Sequence, residues 1–153
     1  MRLLVTGGLG LVGSHIVNAF GDRAVIDIVD GFSDEYIGYK YIHRGNRGLD
    51  TTSEIEKKHR ELNLQYRINL IKGKFRDYHK HWSFYKLPSD KQYDFIINCG
   101  SLSEAILSQH FPHFTRDTIV SGISHIKRTF PKTPVLHISS SMVYGTWEGV
   151  IDE

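Results

Sequence analysis

The stretch Thr6-Gly7-Gly8-Leu9-Gly10-Leu11-Val12-Gly13 decides how this chain folds, because a glycine cluster stands where a short β-type run gives way to a helical one. Arg2 to Thr6 is strand-like, and from Leu11 to Phe20 apolar residues recur at helical spacing. In that context the glycines have a chemical purpose: the backbone turns sharply, a pyrophosphate can approach the main chain, and the helix start packs against the strand. A side chain at Gly10 would take the phosphate's space, while the unpaired N–H groups and the dipole at the head of the helix supply the anion site, with Leu11, Val12 and Gly13 alongside. An ordinary glycine turn is the plainer alternative, and the strand-to-helix context weighs against it.

Working outward, Ala24 to Val29 is a second strand, because Val25, Ile26, Ile28 and Val29 are β-branched and the run ends at Asp30-Gly31. Asp30 follows that strand at the spacing where a carboxylate accepts hydrogen bonds from both adenosine ribose hydroxyls. A carboxylate there repels a 2′-phosphate, so the expected cofactor is NAD rather than NADP. Asp27 is a rival, but its mid-strand place reads as structural. For Asp30 the bland alternative is a turn aspartate beside Gly31. Arg44 and Arg47 could meet a 2′-phosphate, though they lie well into the following loop.

The rest of the chain continues the alternation. Gly31 to about Leu49 reads as a surface loop, and Thr52 or Ser53 can cap a helix running through Leu62. Tyr66 to Ile71 reads as a third strand and Tyr93 to Cys99 as a fourth. Leu102 to His110 and Phe114 to Phe130 look helical, with Pro112 at the join, and Pro134 to Ser139 is a fifth strand. The expected fold is α/β: one Rossmann-like domain over residues 1–153, with a parallel sheet of about five strands in the order 3-2-1-4-5 and helices on both faces.

Composition agrees with a globular class. Of 153 residues, 24% are charged and 40% hydrophobic, and the net charge is only +2 with the basic residues scattered among the acids, so no nucleic-acid surface is implied. No apolar run reaches the length needed to span a bilayer, and the start is too soon interrupted by glycine for a signal peptide, so no membrane association is expected. The single cysteine, Cys99, lies in an apolar run, which favours packing in a reduced, cytoplasmic setting over catalysis. His79-Lys80-His81 and His110-Phe111-Pro112-His113 have spacings a metal could use, but no cysteine or carboxylate partner is evident nearby, and no metal site is expected. The aromatic group Tyr78, Trp82, Phe84 and Tyr85 reads as packing.

Together, the glycine turn, Asp30 and the last strand resemble the extended short-chain dehydrogenase/reductases, the sugar-nucleotide epimerases and dehydratases among them. Val5 to His15 is similar to the family's opening signature, which holds the NAD pyrophosphate, and Asp30-Gly31-Phe32-Ser33 to its acid-plus-short-loop segment. Asp94-Phe95-Ile96-Ile97-Asn98-Cys99-Gly100-Ser101 resembles the fourth strand, whose end lines the cofactor groove at Cys99, Gly100 and Ser101. Asp117 to Gly122 resembles a helix segment that usually reads Thr-Asn-Val-x-Gly. His137 to Gly145, with Ser139-Ser140-Ser141-Met142-Val143-Tyr144-Gly145, is similar to the family's Ser-Ser-x-x-Val-Tyr-Gly strand end. The resemblance places Ile138 and Ser139 beside the cofactor and Ser140 at the catalytic Ser/Thr position, where its hydroxyl would hydrogen-bond the reacting sugar oxygen. A serine satisfying its own backbone is the alternative. Tyr144 is better read as packing than as the base.

The resemblance implies an NAD-dependent epimerase or dehydratase that transiently oxidises a hydroxyl of a nucleotide sugar to a ketone. Ser141 and Met142 replace the acid pair that dehydratases carry after their catalytic Thr, so an epimerase is favoured. A reductase of the same family and a non-catalytic NAD(P)-binding module are the alternatives. Three departures stand out. Lys74 in Gly73-Lys74-Phe75-Arg76-Asp77 occupies the place of the family's adenine-binding aspartate, so Lys74 and Phe75 are expected at the cofactor with one contact altered. Ile119 replaces an asparagine, and the segment between strands two and three is longer than usual. The family's base, a Tyr-x-x-x-Lys pair on a helix well beyond Ser140, would fall after Glu153; Tyr36 to Lys40 has the spacing but stands at the adenosine side. The expectation is the cofactor-binding half of a longer enzyme, inactive alone, lacking a C-terminal substrate domain, and dimerising through its exposed fifth strand.

Overall fold

A computed structural model describes residues 1–31, 54–80, 87–101, 112–140, 145 and 149. The element order is β1 (Arg2–Thr6), α1 (Leu11–Phe20), β2 (Val25–Asp30), α2 (Glu54–Leu70), β3 (Asp77–Lys80), β4 (Phe95–Asn98), α3 (Pro112–Arg116), a π-helical turn (Asp117–Ser121), α4 (Gly122–Thr129) and β5 (Val135–His137). The five strands form one sheet in the order β3-β2-β1-β4-β5, with every neighbouring pair parallel. The expected fold class and strand order are therefore observed. The expected loop from Gly31 to Leu49 beyond Gly31 itself, the helix at 102–110, Tyr36, Lys40, Arg44, Arg47, Trp82, Phe84, Tyr85 and Ser141 to Tyr144 lie outside the described residues.

Alternation along the strands sends side chains to opposite faces, and each face has its own core. Leu3, Val5, Ile26 and Ile28 meet Val17 of α1 and Ile71 just after α2, with Phe75 and Phe95 packed at the margin. On the other face Leu4, Val29 and Ile96 meet Ile126 of α4, Phe130, Tyr93 and Leu87. Helices thus cover both faces, as a parallel sheet requires.

The third strand is not where the sequence places it. Tyr66 to Ile71 alternates apolar and polar residues, yet Tyr66 to Leu70 is the last part of α2. No glycine or proline interrupts Glu54 to Leu70, so nothing ends the helix at Leu62. The burial is helical: Leu64, Arg67 and Leu70 are partly covered and Ile71 fully, while Tyr66 and Ile68 face outward. Gly73 at φ +77°, a conformation costly for any other residue, follows the helix end and lets the chain reverse into β3.

The sequence Asp-Tyr-His-Lys of β3 has little intrinsic strand preference, so its neighbours must hold it. Asp27 on β2 stands directly opposite Asp77 on β3. Asp27 is fully buried, and its carboxylate accepts two hydrogen bonds from Arg76 at 2.8 and 2.9 Å and one from the Tyr93 hydroxyl at 2.8 Å, with Lys91 at 3.3 Å. Lys91 also bridges to Asp77, and Arg76 bonds Asp77 at 3.1 Å. The Arg2 guanidinium lies over the Tyr93 ring at 5.5 Å, and Tyr93 meets Phe130 edge-on. One buried carboxylate therefore ties β1, β2, β3 and the approach to β4 together.

Replacing Asp27 by Asn leaves Arg76 and Lys91 without their shared anion. Both reach solvent in part, which limits the loss to about 2–3 kcal/mol, read as a lower urea midpoint; an unchanged midpoint contradicts the assignment. The hydrogen bond from Lys91, and then that from Arg76, holds the Asp77 carboxyl below the usual carboxylate range despite some desolvation. A depressed folded value means that its contribution is present above the unfolded value, about pH 4, and is lost as pH falls through the folded one. Asp77→Asn should flatten that part of the acid limb of stability against pH, and an acid limb of unchanged shape would count against it.

Candidate functional site

Because all five strands are parallel, everything that follows them gathers at one edge of the sheet. That edge has a crevice between β1 and β4, where the strand order reverses and open α/β sheets take their ligands. The turn after β1 is built of bare main chain. Gly7 has φ +68°, donates its N–H to Val29 O at 2.7 Å, and lies so close to the turn after β4 that a Cβ on it would sit 2.7 Å from Gly100 N and 2.8 Å from the Cys99 carbonyl carbon. A Cβ on Gly13 would come within 2.1 Å of Gly7 O, so α1 also rests on the turn through backbone alone.

Gly10 donates to Gly7 O at 2.9 Å and precedes α1 in extended conformation, with no side-chain cap and no acidic residue in the first helical turn. A Cβ there would meet only Gly7 O, at 3.0 Å, so the remaining space on that side is open. The head of α1 thus keeps its N–H groups and positive dipole end without a carboxylate to neutralise them. Leu11 and Val12 stand exposed beside it.

Asp30 is the last residue of β2, and its Oδ2 accepts the Leu9 N–H at 2.8 Å. The carboxylate is therefore pinned to the glycine turn by the turn's own backbone. Across the sheet, Tyr78 of β3 has its phenol pushed up to about 12, first by burial and then by the negative charge of Asp30.

On the other side of the crevice, Thr6, Asn98 and His137, the last residues of β1, β4 and β5, form one row in register. Thr6 Oγ1 donates to Asn98 Oδ1, and Asn98 Nδ2 meets His137 Nδ1 at 2.9 Å. Beyond the row come Cys99, Gly100 and Ser101 after β4, and Ile138, Ser139 and Ser140 after β5, with Ile138 N–H donating to Asn98 O at 3.0 Å. Sequence reasoning singled out none of the three row residues for a site. The signal was available: each is the polar last residue of a strand, and parallel pairing puts strand ends side by side.

The structure gathers Gly7, Gly10, Leu11, Val12, Gly13, Asp30, Cys99, Gly100, Ser101, Ile138, Ser139 and Ser140 at this edge. It does not bring Lys74 and Phe75 there, which corrects their expected place. Both precede β3, so they stand at the opposite edge: Lys74 pairs with Asp22 in the turn after α1, and Phe75 packs into the core under α1. Their assignment followed from reading β3 one segment too early. His79 brings a second correction, because it lies within ligand distance of Asp77, two residues before it on β3, and strand pairing adds Asp27 from β2. Those two acids already face Arg76 and Lys91, and Asp27 also faces Arg2, so the cluster is internally neutralised and carries no case for a cation.

The model of a family described as "NAD dependent epimerase/dehydratase family" matches residues 3–153. Among solved structures, the chain is similar to the UDP-glucuronic acid 4-epimerase of Bacillus cereus in complex with UDP-glucuronic acid and NAD, at 17% identity and a TM-score of 0.69, over 100% of this chain and 44% of that one. It is similar to the UDP-glucose-4-epimerase of Stenotrophomonas maltophila with bound NAD and formylated UDP-arabinopyranose, at 21% identity and a TM-score of 0.64, over 97% of this chain and 40% of that one. A third is the dTDP-glucose 4,6-dehydratase DesIV of Streptomyces venezuelae, at 20% identity and a TM-score of 0.62, over 98% of this chain and 42% of that one. No curated protein matches. The chain thus spans about two fifths of the solved proteins it resembles, and at these identities the likeness shows the fold.

Burial pushes the Cys99 thiol up to about 11. Near neutral pH, iodoacetamide should then label Cys99 in the folded chain about a hundredfold more slowly than in urea-unfolded chain. Equal rates would place the thiol in solvent.

Proposed function

This chain belongs to the NAD dependent epimerase/dehydratase family, and from that premise we propose that it forms the cofactor-binding part of an enzyme acting on a nucleotide-linked sugar, an epimerase rather than a dehydratase. The observation that carries the reading is the Gly7 turn, where a cradle of main chain that any Cβ would fill sits beside a carboxylate fixed by the Leu9 N–H. These residues suit NAD. Gly7, Gly10, Leu11, Val12 and Gly13 would hold the pyrophosphate at the head of α1, and Asp30 would accept the adenosine ribose hydroxyls. Cys99, Gly100, Ser101, Ile138 and Ser139 would line the rest of the crevice.

The chemistry that bound NAD would supply is reversible acceptance of a hydride from a sugar carbon. The chain's own contribution is to position and polarise: the Ser140 hydroxyl would donate to the sugar oxygen whose proton is leaving, stabilising charge as it develops. The epimerase preference rests on Ser141 and Met142, which lack the acid that elimination of water needs.

Asp30 decides between cofactors by charge. With its carboxylate beside the ribose, a 2′-phosphate meets a fixed negative charge, so calorimetry should show NAD binding at least roughly tenfold tighter than NADP. Asp30→Ala should narrow that ratio, mainly by weakening NAD. A wild-type chain that binds neither dinucleotide, or prefers NADP, overturns the reading.

A further inference from the structure

The Thr6–Asn98–His137 row has a direction. Thr6 and Asn98 are buried, and the Thr6 hydroxyl donates to Asn98 Oδ1, with the amide's Nδ2 turned toward His137. Its Nδ2 can only donate, so His137 Nδ1 must be the acceptor and the neutral imidazole carries its proton on Nε2. His137 itself is exposed, so it is held there by this bond rather than by burial. The row starts one residue before the Gly7 turn and ends three residues before Ser140. It therefore links the main chain under the pyrophosphate position to the segment on the far side of the crevice. β5 has only three paired residues, so a side-chain bond at its last residue is a large share of what holds its end.

We propose that His137 is a positioning residue: through Asn98 and Thr6 it sets the segment Ile138–Ser139–Ser140 over the half of the crevice that takes the nicotinamide riboside, while the ADP-ribose half is held independently by the Gly7 turn and Asp30. This rests on the NAD reading above and deepens it. The two halves are separable because Asp30 ends β2 on one side of β1, whereas His137 ends β5, two strands from β1 on the other.

The test compares NAD with ADP-ribose, which keeps the adenosine and both phosphates but lacks nicotinamide. His137→Phe keeps a ring and removes the acceptor; the expected result is a loss of roughly five- to tenfold in NAD affinity with ADP-ribose affinity unchanged, the scale of one net hydrogen bond. His137→Asn restores an acceptor near the same place and should recover most of the NAD affinity. In the wild-type chain, nitrogen-15 spectra should show His137 with Nδ1 unprotonated, and Asn98→Ala should erase that signature. Equal loss for both ligands, loss for neither, no recovery in the Asn variant, or a proton on Nδ1 each refutes the assignment. A wild-type chain that binds neither ligand refutes the NAD reading instead, so the two failures are told apart.

Discussion

The governing constraint in the molecule is the approach of two turns. Gly7 must have no side chain because the backbone of Cys99 and Gly100 occupies the volume a Cβ would need, and Gly13 must have none because Gly7 O does. β1, β4 and the start of α1 are thus drawn together through main-chain atoms. This fixes where the sheet's two halves meet, and it leaves at that meeting point bare main chain and the uncapped head of α1. The same steric fact that closes the fold opens the site.

Two polar groups of buried character lie on a single face of the sheet, and each is satisfied in a different way. In the row through the strand middles, Asp77 and Asp27 stand on β3 and β2 and are neutralised by Arg76 and Lys91, while Leu4, Ile96 and Val135 continue the row as plain hydrocarbon. In the row at the strand ends, Thr6, Asn98 and His137 share neutral hydrogen bonds on the other half of the sheet. Charge is used where β3 needs holding and no ligand is expected. Neutral donors and acceptors are used at the ends of β1, β4 and β5, while the one carboxylate of the described site, Asp30, stands at the end of β2.

Most of the architecture was legible because it depends on the order of elements, and that order survives a misplaced boundary. Tyr66 to Ile71 was misread as a strand since its apolar residues alternate, but the next candidate, Asp77–Lys80, took the same topological place and the strand order stood. The error mattered for the site. It carried Lys74 and Phe75 to the wrong edge of the sheet, because a strand begun too early puts its own preceding residues where its following ones belong. The glycine turn was legible from spacing alone, since backbone geometry there is dictated by residue type. Asp27 with Asp77, and Thr6 with Asn98 and His137, were not, because these partners join across strands whose register no local pattern states.

This division explains how a chain can share 16 to 22% identity with solved relatives and still superpose on them with TM-scores of 0.59 to 0.69. Recognition through main chain constrains a few glycines and one carboxylate and leaves the remaining side chains free to vary, provided each face keeps its apolar set and each buried polar group finds a partner. A substrate sugar, by contrast, is told from its epimer by individual side-chain donors and acceptors, which no backbone turn can supply. The described elements therefore bear on the cofactor, and on the function proposed above a sugar would first be met by the segment after β5, beginning at Ile138.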